Sequence, residues 1–261
     1  MSTREFIISL FCRIDDRLTG QVKLPRAKLW PSEIVTLGVL RTLKGGSFRA
    51  FYRWVQRNLT DLFPNLPERT RLLRLLCAYC HLSDAFLVQA KARTKKAIGF
   101  MDSFGIETLH PRRDGRSDQQ HGKKGKSNHR WIVGVKFCPV LDRRGQIVDW
   151  NFDTANVHDT TFHPLVYDNP ALTILADTGF HKSDEKGGDP ANLVICGRGE
   201  ENGRMLIETC FSLWESTLHM KKISERVEHY IDTRIAFAVA AYNLIINWTG
   251  KTKLQTTFFS L

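Results

Sequence analysis

Ala97-Ile98-Gly99-Phe100-Met101-Asp102-Ser103 is a short apolar run that ends in a carboxylate, and Leu172 to Asp177, apolar throughout, ends the same way. Runs of this length bounded by polar residues read as strands, and one without polar interruption reads as a central strand covered on both faces. Between them, His129 to Leu141 alternates Trp131, Val133, Val135 and Phe137, and Gln146 to Asp153 follows the turn Asp142-Arg143-Arg144-Gly145. With Ala97 to Asp102 these predict a three-stranded antiparallel meander. Val157 to Tyr167 predicts a helix or helical turn, and Leu172 to Asp177 and Ala191 to Cys196 a fourth and a fifth strand. Asn202 to Leu218 and Ile223 to Trp248 predict helices.

The region before Ala97 has a different character. Met1 to Lys96 holds 18 Lys and Arg against 7 Asp and Glu, whereas Ala97 to Leu261 holds 20 of each, so the whole net charge of +11 sits in the first third. A basic module of this kind suits a polyanion, because each cation set against a phosphate releases condensed counterions; a merely solvated basic surface is the plainer alternative. Phe6, Ile7, Leu10, Phe11, Ile14 and Leu18 recur at helical spacing and predict a first helix from Thr3 to Leu18. Pro31-Ser32 opens a second, Glu33 to Lys44, stopped by Gly45-Gly46. Ser47 caps a third, Phe48 to Leu59, and Pro67 opens a fourth that runs to about Ala92. The division expected is an all-helical, basic region over residues 1–96 and a catalytic domain over 97–261.

The short Gly45-Gly46-Ser47 connection suits a helix-turn-helix, and Arg49, Arg53 and Arg57 fall on one face of its second helix, suited to DNA or bare phosphate contact or forming a solvated stripe. Pro111 to Lys126, with Arg112, Arg113, Arg116, Lys123, Lys124 and Lys126, reads as a basic loop without apolar anchors, either contacting substrate phosphates or solvated. Cys77-x-x-Cys80-His81 is half of a zinc pattern that nothing completes, so core cysteines on a helix are expected. Six scattered cysteines and no secretory apolar core before Gly20 point to a reducing cytoplasm. The longest apolar stretch, Ile235 to Trp248, is shorter than the roughly 20 residues a membrane span needs, so no membrane partner is expected.

Three strands, a helix, a fourth strand and a further helix are the order of a ribonuclease-H-like fold: a mixed α/β sheet of five strands flanked by helices. That order places strands one and four side by side and makes Asp102 and Asp177 neighbours. Two adjacent carboxylates are hard oxygen ligands suited to Mg2+ or Mn2+. Glu208, in Arg204-Met-Leu-Ile-Glu208 among apolar neighbours, is the leading third ligand; Glu200, Glu201 and Glu215 compete with it. His158-Asp159 either orients DNA or assists at the metal, or is a helix cap. Ser103 lacks any Ser-His-Asp context for a nucleophile.

Met101-Asp102-Ser103, Ala155-Asn156-Val157-His158-Asp159, Ala176-Asp177-Thr178-Gly179-Phe180 and Arg204-x-x-x-Glu208 followed by Phe211-x-x-Trp214 together resemble the DDE transposases of bacterial insertion sequences. The resemblance spans Ala97 to about Trp248. It implies a metal-binding catalytic triad of Asp102, Asp177 and Glu208 acting with Mg2+ (or Mn2+) as a DNA phosphoryl transferase. It also implies DNA partners, both terminal inverted repeats and target DNA, bound by the N-terminal region and by Arg112, Arg113, Lys123, Lys124 and Arg204. A homodimer or larger assembly on DNA, in the nucleoid, follows from the same resemblance. Where many relatives carry a tyrosine three residues before the arginine and a lysine seven after the glutamate, this chain has Glu201 and Glu215; either Lys221 or Lys222 replaces the lysine or its role is lost. A nuclease or resolvase of the same fold without strand transfer, and a remnant that only binds DNA, are the rival readings.

Overall fold

A computed structural model describes residues 2–88, 97–127, 130–183, 185, 187–197 and 204–250. Four helices come first: α1 (Thr3–Arg17), α2 (Pro31–Lys44), α3 (Phe48–Asn58) and α4 (Arg69–Tyr79). Each begins where its sequence supplies a start. Ser2 and Glu5 form a reciprocal cap on α1, Pro31 occupies the first turn of α2, and Ser47 accepts from the Ala50 amide at 3.2 Å on α3. Gly45, at φ 68°, ends α2 in a conformation that favours glycine. The fourth helix stops short of the expected Ala92: beyond Tyr79 the chain tightens into a 3-10 turn, Cys80–Phe86, and residues 89–92 lie outside those described.

The sheet contains β1 (Ala97–Met101), β2 (Phe104–Leu109), β3 (Lys123–Ser127), β4 (Arg130–Asp142), β5 (Ile147–Thr154), β6 (Leu172–Ala176) and β7 (Leu193–Ile195). It is seven-stranded, against the five expected, yet only five strands wide. The 13-residue β4 has β5 and β3 end to end along one edge and β1 and β2 end to end along the other. Beyond β1, β6 and then β7 add in parallel. This is the ribonuclease-H-like order, with the meander antiparallel and strands one and four adjacent as the sequence predicts. Of the two unexpected strands, one lies where a basic loop was anticipated and the other in a stretch given no element. Part of Pro111 to Lys126 is β3, and Phe104 to Leu109 continues the line of β1. The expected start of the second strand, His129, lies outside the described residues.

After β5 come a 3-10 turn, Asp159–Phe162, and α5 (His163–Asp168), covering one face of the sheet; α6 (Arg204–Ser216) and α7 (Glu228–Thr249) cover the other. The chain from 217 to 227 runs through turns and bends, with His219 at φ 55°, where helix was expected from Ile223. Stacking of Trp214 on Phe137, 4.1 Å between centroids, and of Phe211 beside Phe104, 5.0 Å, seats α6 on β4 and β2.

The long α7 is buried over most of its length because it packs against the N-terminal helices on one side and β5 and α6 on the other. Its Phe237 lies over Gly38, where a Cβ would come within 2.6 Å of the ring, so the α2–α7 crossing requires glycine. A single apolar core therefore runs from Phe6 and Leu10 through Ile235 and Ala241 to Phe104 and Phe137. Polar groups on α7 satisfy the backbone they cover. Asn243 accepts from the Ile147 amide at 2.9 Å and donates to the Phe86 and Ile147 carbonyls, and Tyr242 donates to the Gly145 carbonyl at 2.7 Å. The buried Arg234 donates to Thr42, and Arg41 is paired with Glu225.

Asn243→Ala takes the side-chain partner from the Ile147 amide and from the Phe86 and Ile147 carbonyls, the last of which keeps the Val88 amide at 3.3 Å, so unfolding in urea is expected to show a loss of about 2–4 kcal/mol. Burial, with Asp84 and Glu228 nearby, raises the Asp232 carboxyl above its ordinary range, which disfavours its charged form in the folded chain. Asp232→Asn should accordingly raise the melting temperature at pH 7. That advantage should fade as pH falls through the raised value, where Asp232 protonates and its penalty disappears.

Candidate active site

Two registers meet at Asp102. Along β6, Ala97 to Phe100 pair in parallel with Leu172 to Leu175, and the same register carried forward sets Asp102 beside Asp177, one strand spacing away. Along β4, Gly99 and Met101 pair with Asp142 and Val140, and β2 resumes in identical register with Phe104 against Phe137. Asp102 therefore stands opposite Pro139. The Asp142 amide and the Gly134 carbonyl both bond toward the β5 edge, to Gln146 and Ala155. By alternation Pro139 faces β1 and β2, and it has no N–H to offer the ladder there. The strand line breaks at Asp102-Ser103 for that reason, and the Asp102 carboxylate accepts instead from the Ser103 amide at 2.7 Å.

Asp177 sits in a matching position past the end of β6. Its Oδ1 accepts from the Gly179 amide at 2.7 Å and caps the 3-10 turn Thr178–Phe180. Alternation puts Asp102 on the face of Phe100 and Phe104, and Asp177 on the face of Leu175, which is the face α6 covers. Ile207 fixes the start of α6 against the core, and Glu208, itself exposed, reaches the same opening. Asp102, Asp177 and Glu208 line one small cavity of about 50 Å³ together with Phe100, Met101, Leu175, Ala176, Cys196 and Ile207. A volume of this size takes an ion and a few waters and excludes a nucleobase.

Among the described residues no three His, Cys, Asp or Glu side chains stand close enough to hold one metal ion as placed. The structure offers a shared cavity of hard oxygen donors, which suits a hard cation, and not a formed coordination sphere. Of the competitors for third ligand, Glu215 lies two helical turns beyond Glu208 and pairs with Lys221 at 3.1 Å, and Glu200 and Glu201 lie outside the described residues. Lys221 also approaches the Phe104 ring at 5.0 Å, while Lys222 pairs with Glu107 at 2.6 Å. Lys221 thus brings a cation to the very glutamate that stands where many relatives carry lysine.

On the opposite face, Asp159 accepts from Lys136 at 3.0 Å, and Lys136 also donates to the Val157 carbonyl at 2.8 Å. It is His158, exposed, that caps the turn, by accepting from the Thr160 amide, and not Asp159 as the cap reading has it. Gly179 packs between two carboxylates: a Cβ there would lie 2.9 Å from Asp159 Oδ2 and 3.0 Å from Asp177 Oδ1. Lys136 was not among the sequence candidates. Its signal is a lysine inside the alternating Val135-Lys136-Phe137 run, on the face that should be apolar. Between Asp102 and Asp159, burial and then both carboxylates push the Cys138 thiol well up, and burial pushes Cys210 to about 12, so both are inert as nucleophiles. Cys77 and Cys80 are free thiols of intermediate burial, Cys77 on α4 and Cys80 at the start of the 3-10 turn.

The predicted DNA contacts are all at the surface where described. Arg49, Arg53 and Arg57 are exposed along α3, Arg112 and Arg113 on a 3-10 turn, and Lys123 and Lys124 on β3. Arg204 opens α6, and its side chain lies outside the described residues.

A mixed sheet five strands wide, with carboxylates at the ends of its central parallel strands and a helix-borne glutamate over them, defines a ribonuclease-H-like protein. Residues 93–186 match the model of the transposase DDE domain, and the resemblance to DDE transposases holds over that segment. The match contains Asp102, His158-Asp159 and Asp177 and ends before Glu208. No curated protein matches the chain significantly.

Gly179→Ala is expected to cost about 1–3 kcal/mol in thermal or urea unfolding, because the added methyl must displace the Asp159 or the Asp177 carboxylate.

Proposed function

We propose that this chain is an insertion-sequence transposase that cuts DNA at the element ends and joins the freed 3′-hydroxyl to target DNA. The observation that supports it most is the in-register placement of Asp102 and Asp177, with Glu208 lining the same cavity. The charge distribution agrees: residues 1–96 act as the DNA-contacting part and 97–261 as the catalytic part, two roles on one shared core. Arg49, Arg53 and Arg57 hold terminal-repeat DNA, while Arg112, Arg113, Lys123, Lys124 and Arg204 hold phosphates nearer the cut. The protein acts as a dimer or larger assembly, since two ends are processed together, and works in the nucleoid; no helix among the described residues is long and apolar enough to cross a membrane.

Asp102, Asp177 and Glu208 are the residues that would hold Mg2+ or Mn2+. A cation bound there supplies activation of the attacking oxygen and charge stabilisation on the leaving oxygen of an in-line displacement. The chain's own contribution is placement. The Ser103 and Gly179 amides orient the two aspartates, and α6, pinned by Trp214 and Phe211, brings Glu208 over them. Lys136 holds Asp159 away from Asp177 as a neutralised pair. No side chain is required to form a covalent link to DNA.

The test is cleavage and strand transfer on a duplex carrying the inverted repeats that flank the gene, with Mg2+. Asp177→Ala and Glu208→Gln should lower cleavage by at least about a hundredfold with DNA affinity little changed. Glu215→Gln, which breaks only an exposed ion pair, should stay within about twofold of wild type. A large loss from Glu215→Gln with none from Glu208→Gln would move the third ligand to Glu215. Cleavage without joining to a 3′-hydroxyl end would make the protein a nuclease or resolvase, and DNA binding without either would make it an inactive remnant.

A further inference from the structure

Trp131 is 60% exposed on β4, unlike Trp214, which is fully buried. Across the ladder it faces Lys126, and Lys124, two residues along on the same face, places its ammonium 5.3 Å from the indole centroid. Lys123, Lys124 and Lys126 are exposed and enter no ion pair with the described residues, whereas neighbouring Arg130 is tied to Glu107 at 3.0 Å. Among the described residues β3 pairs only with β4, which leaves its outer edge without a strand partner. Lysines alone have a plain explanation there, since charge on an open edge discourages pairing with another chain. A large exposed aromatic among them works against that purpose and asks for another.

We propose that the β3–β4 ribbon is a DNA-binding finger in which Trp131 stacks on an unpaired base while Lys124 and Lys126 hold the flanking phosphates. This rests on the transposase reading and adds to it a base-contacting residue outside the carboxylate site. The indole has the Lys124 ammonium over one face and most of its surface open to solvent, so its other face has the form of a stacking platform. A base offers its flat face only when it is unpaired or unstacked, because neighbours cover that face within a duplex.

The probes are a 15-nucleotide oligo(dT) strand and a 30-base-pair mixed-sequence duplex, titrated at low salt while tryptophan emission and affinity are read. Oligo(dT) should quench wild-type emission. Trp131→Ala should lose that quenching and bind oligo(dT) about five- to a hundredfold more weakly. Trp131→Phe, which keeps a ring, should lose the quenching and retain most of the affinity. Lys124→Ala and Lys126→Ala should each reduce the slope of log affinity against log salt by about one. Unchanged oligo(dT) binding and quenching in Trp131→Ala would overturn the proposal, as would quenching of Trp131 by the duplex alone. If the wild type binds neither probe nor element-end DNA, the transposase reading falls as well; if it binds DNA with Trp131 silent, only the finger falls.

Discussion

Two carboxylates one strand spacing apart repel, and the fold must hold them there against that repulsion. The β1–β6 ladder does so: four consecutive parallel pairs fix Asp102 and Asp177 in register before either side chain has any say. Everything around the ladder serves to keep it rigid. β4 clamps β1 from the far side, α6 is stacked onto β4 and β2 through Trp214 and Phe211, and α7 wedges the N-terminal helices against the assembly. Each aspartate then turns onto the amide one or two residues ahead of it, which spreads its negative charge onto the backbone and sets its direction.

The break opposite Pro139 matters to this arrangement. A continuous β1–β2 strand would spend its Asp102 position on an ordinary rung between two neighbours. With no N–H from Pro139, the strand line opens for two residues and resumes in the same register. A functional group is thus set at a local gap in an otherwise unbroken sheet, without a bulge and without a change of direction.

Much of the architecture was legible because burial imposes period. Leu172 to Ala176 and Ala97 to Met101 are covered on both faces, so their apolar runs could be read directly, and their order placed both aspartates. Lys123 to Ser127 could not be read this way. Lys123-Lys124-Gly125-Lys126 has no strand pattern of its own and is a strand because β4 extends far enough to pair with it. Phe104 to Leu109 was hidden by its closeness to β1, since the two form one line interrupted only at Asp102-Ser103. Lys136 escaped notice because its partner, Asp159, is 23 residues away in the chain. Glu208 was favoured for its apolar setting, but Ile207, Cys210 and Trp214 provide that burial, and Glu208 itself is exposed on the helix edge above the cavity.

The glycine at the α2–α7 crossing carries an implication for how such a chain can change. Because Gly38 lets Phe237 lie flat against α2, the helices that precede the sheet and the last long helix were shaped to one another, contact by contact. An exchange of the basic N-terminal part for that of a distant relative would bring a foreign surface against α7 and leave its apolar side ill-fitted. If α3 contacts DNA as proposed, a new specificity is more accessible through its exposed side chains, such as Arg49, Arg53 and Arg57, than through replacement of the whole region. The N-terminal helices and the sheet with its last long helix are bound to drift together, as the two halves of one core.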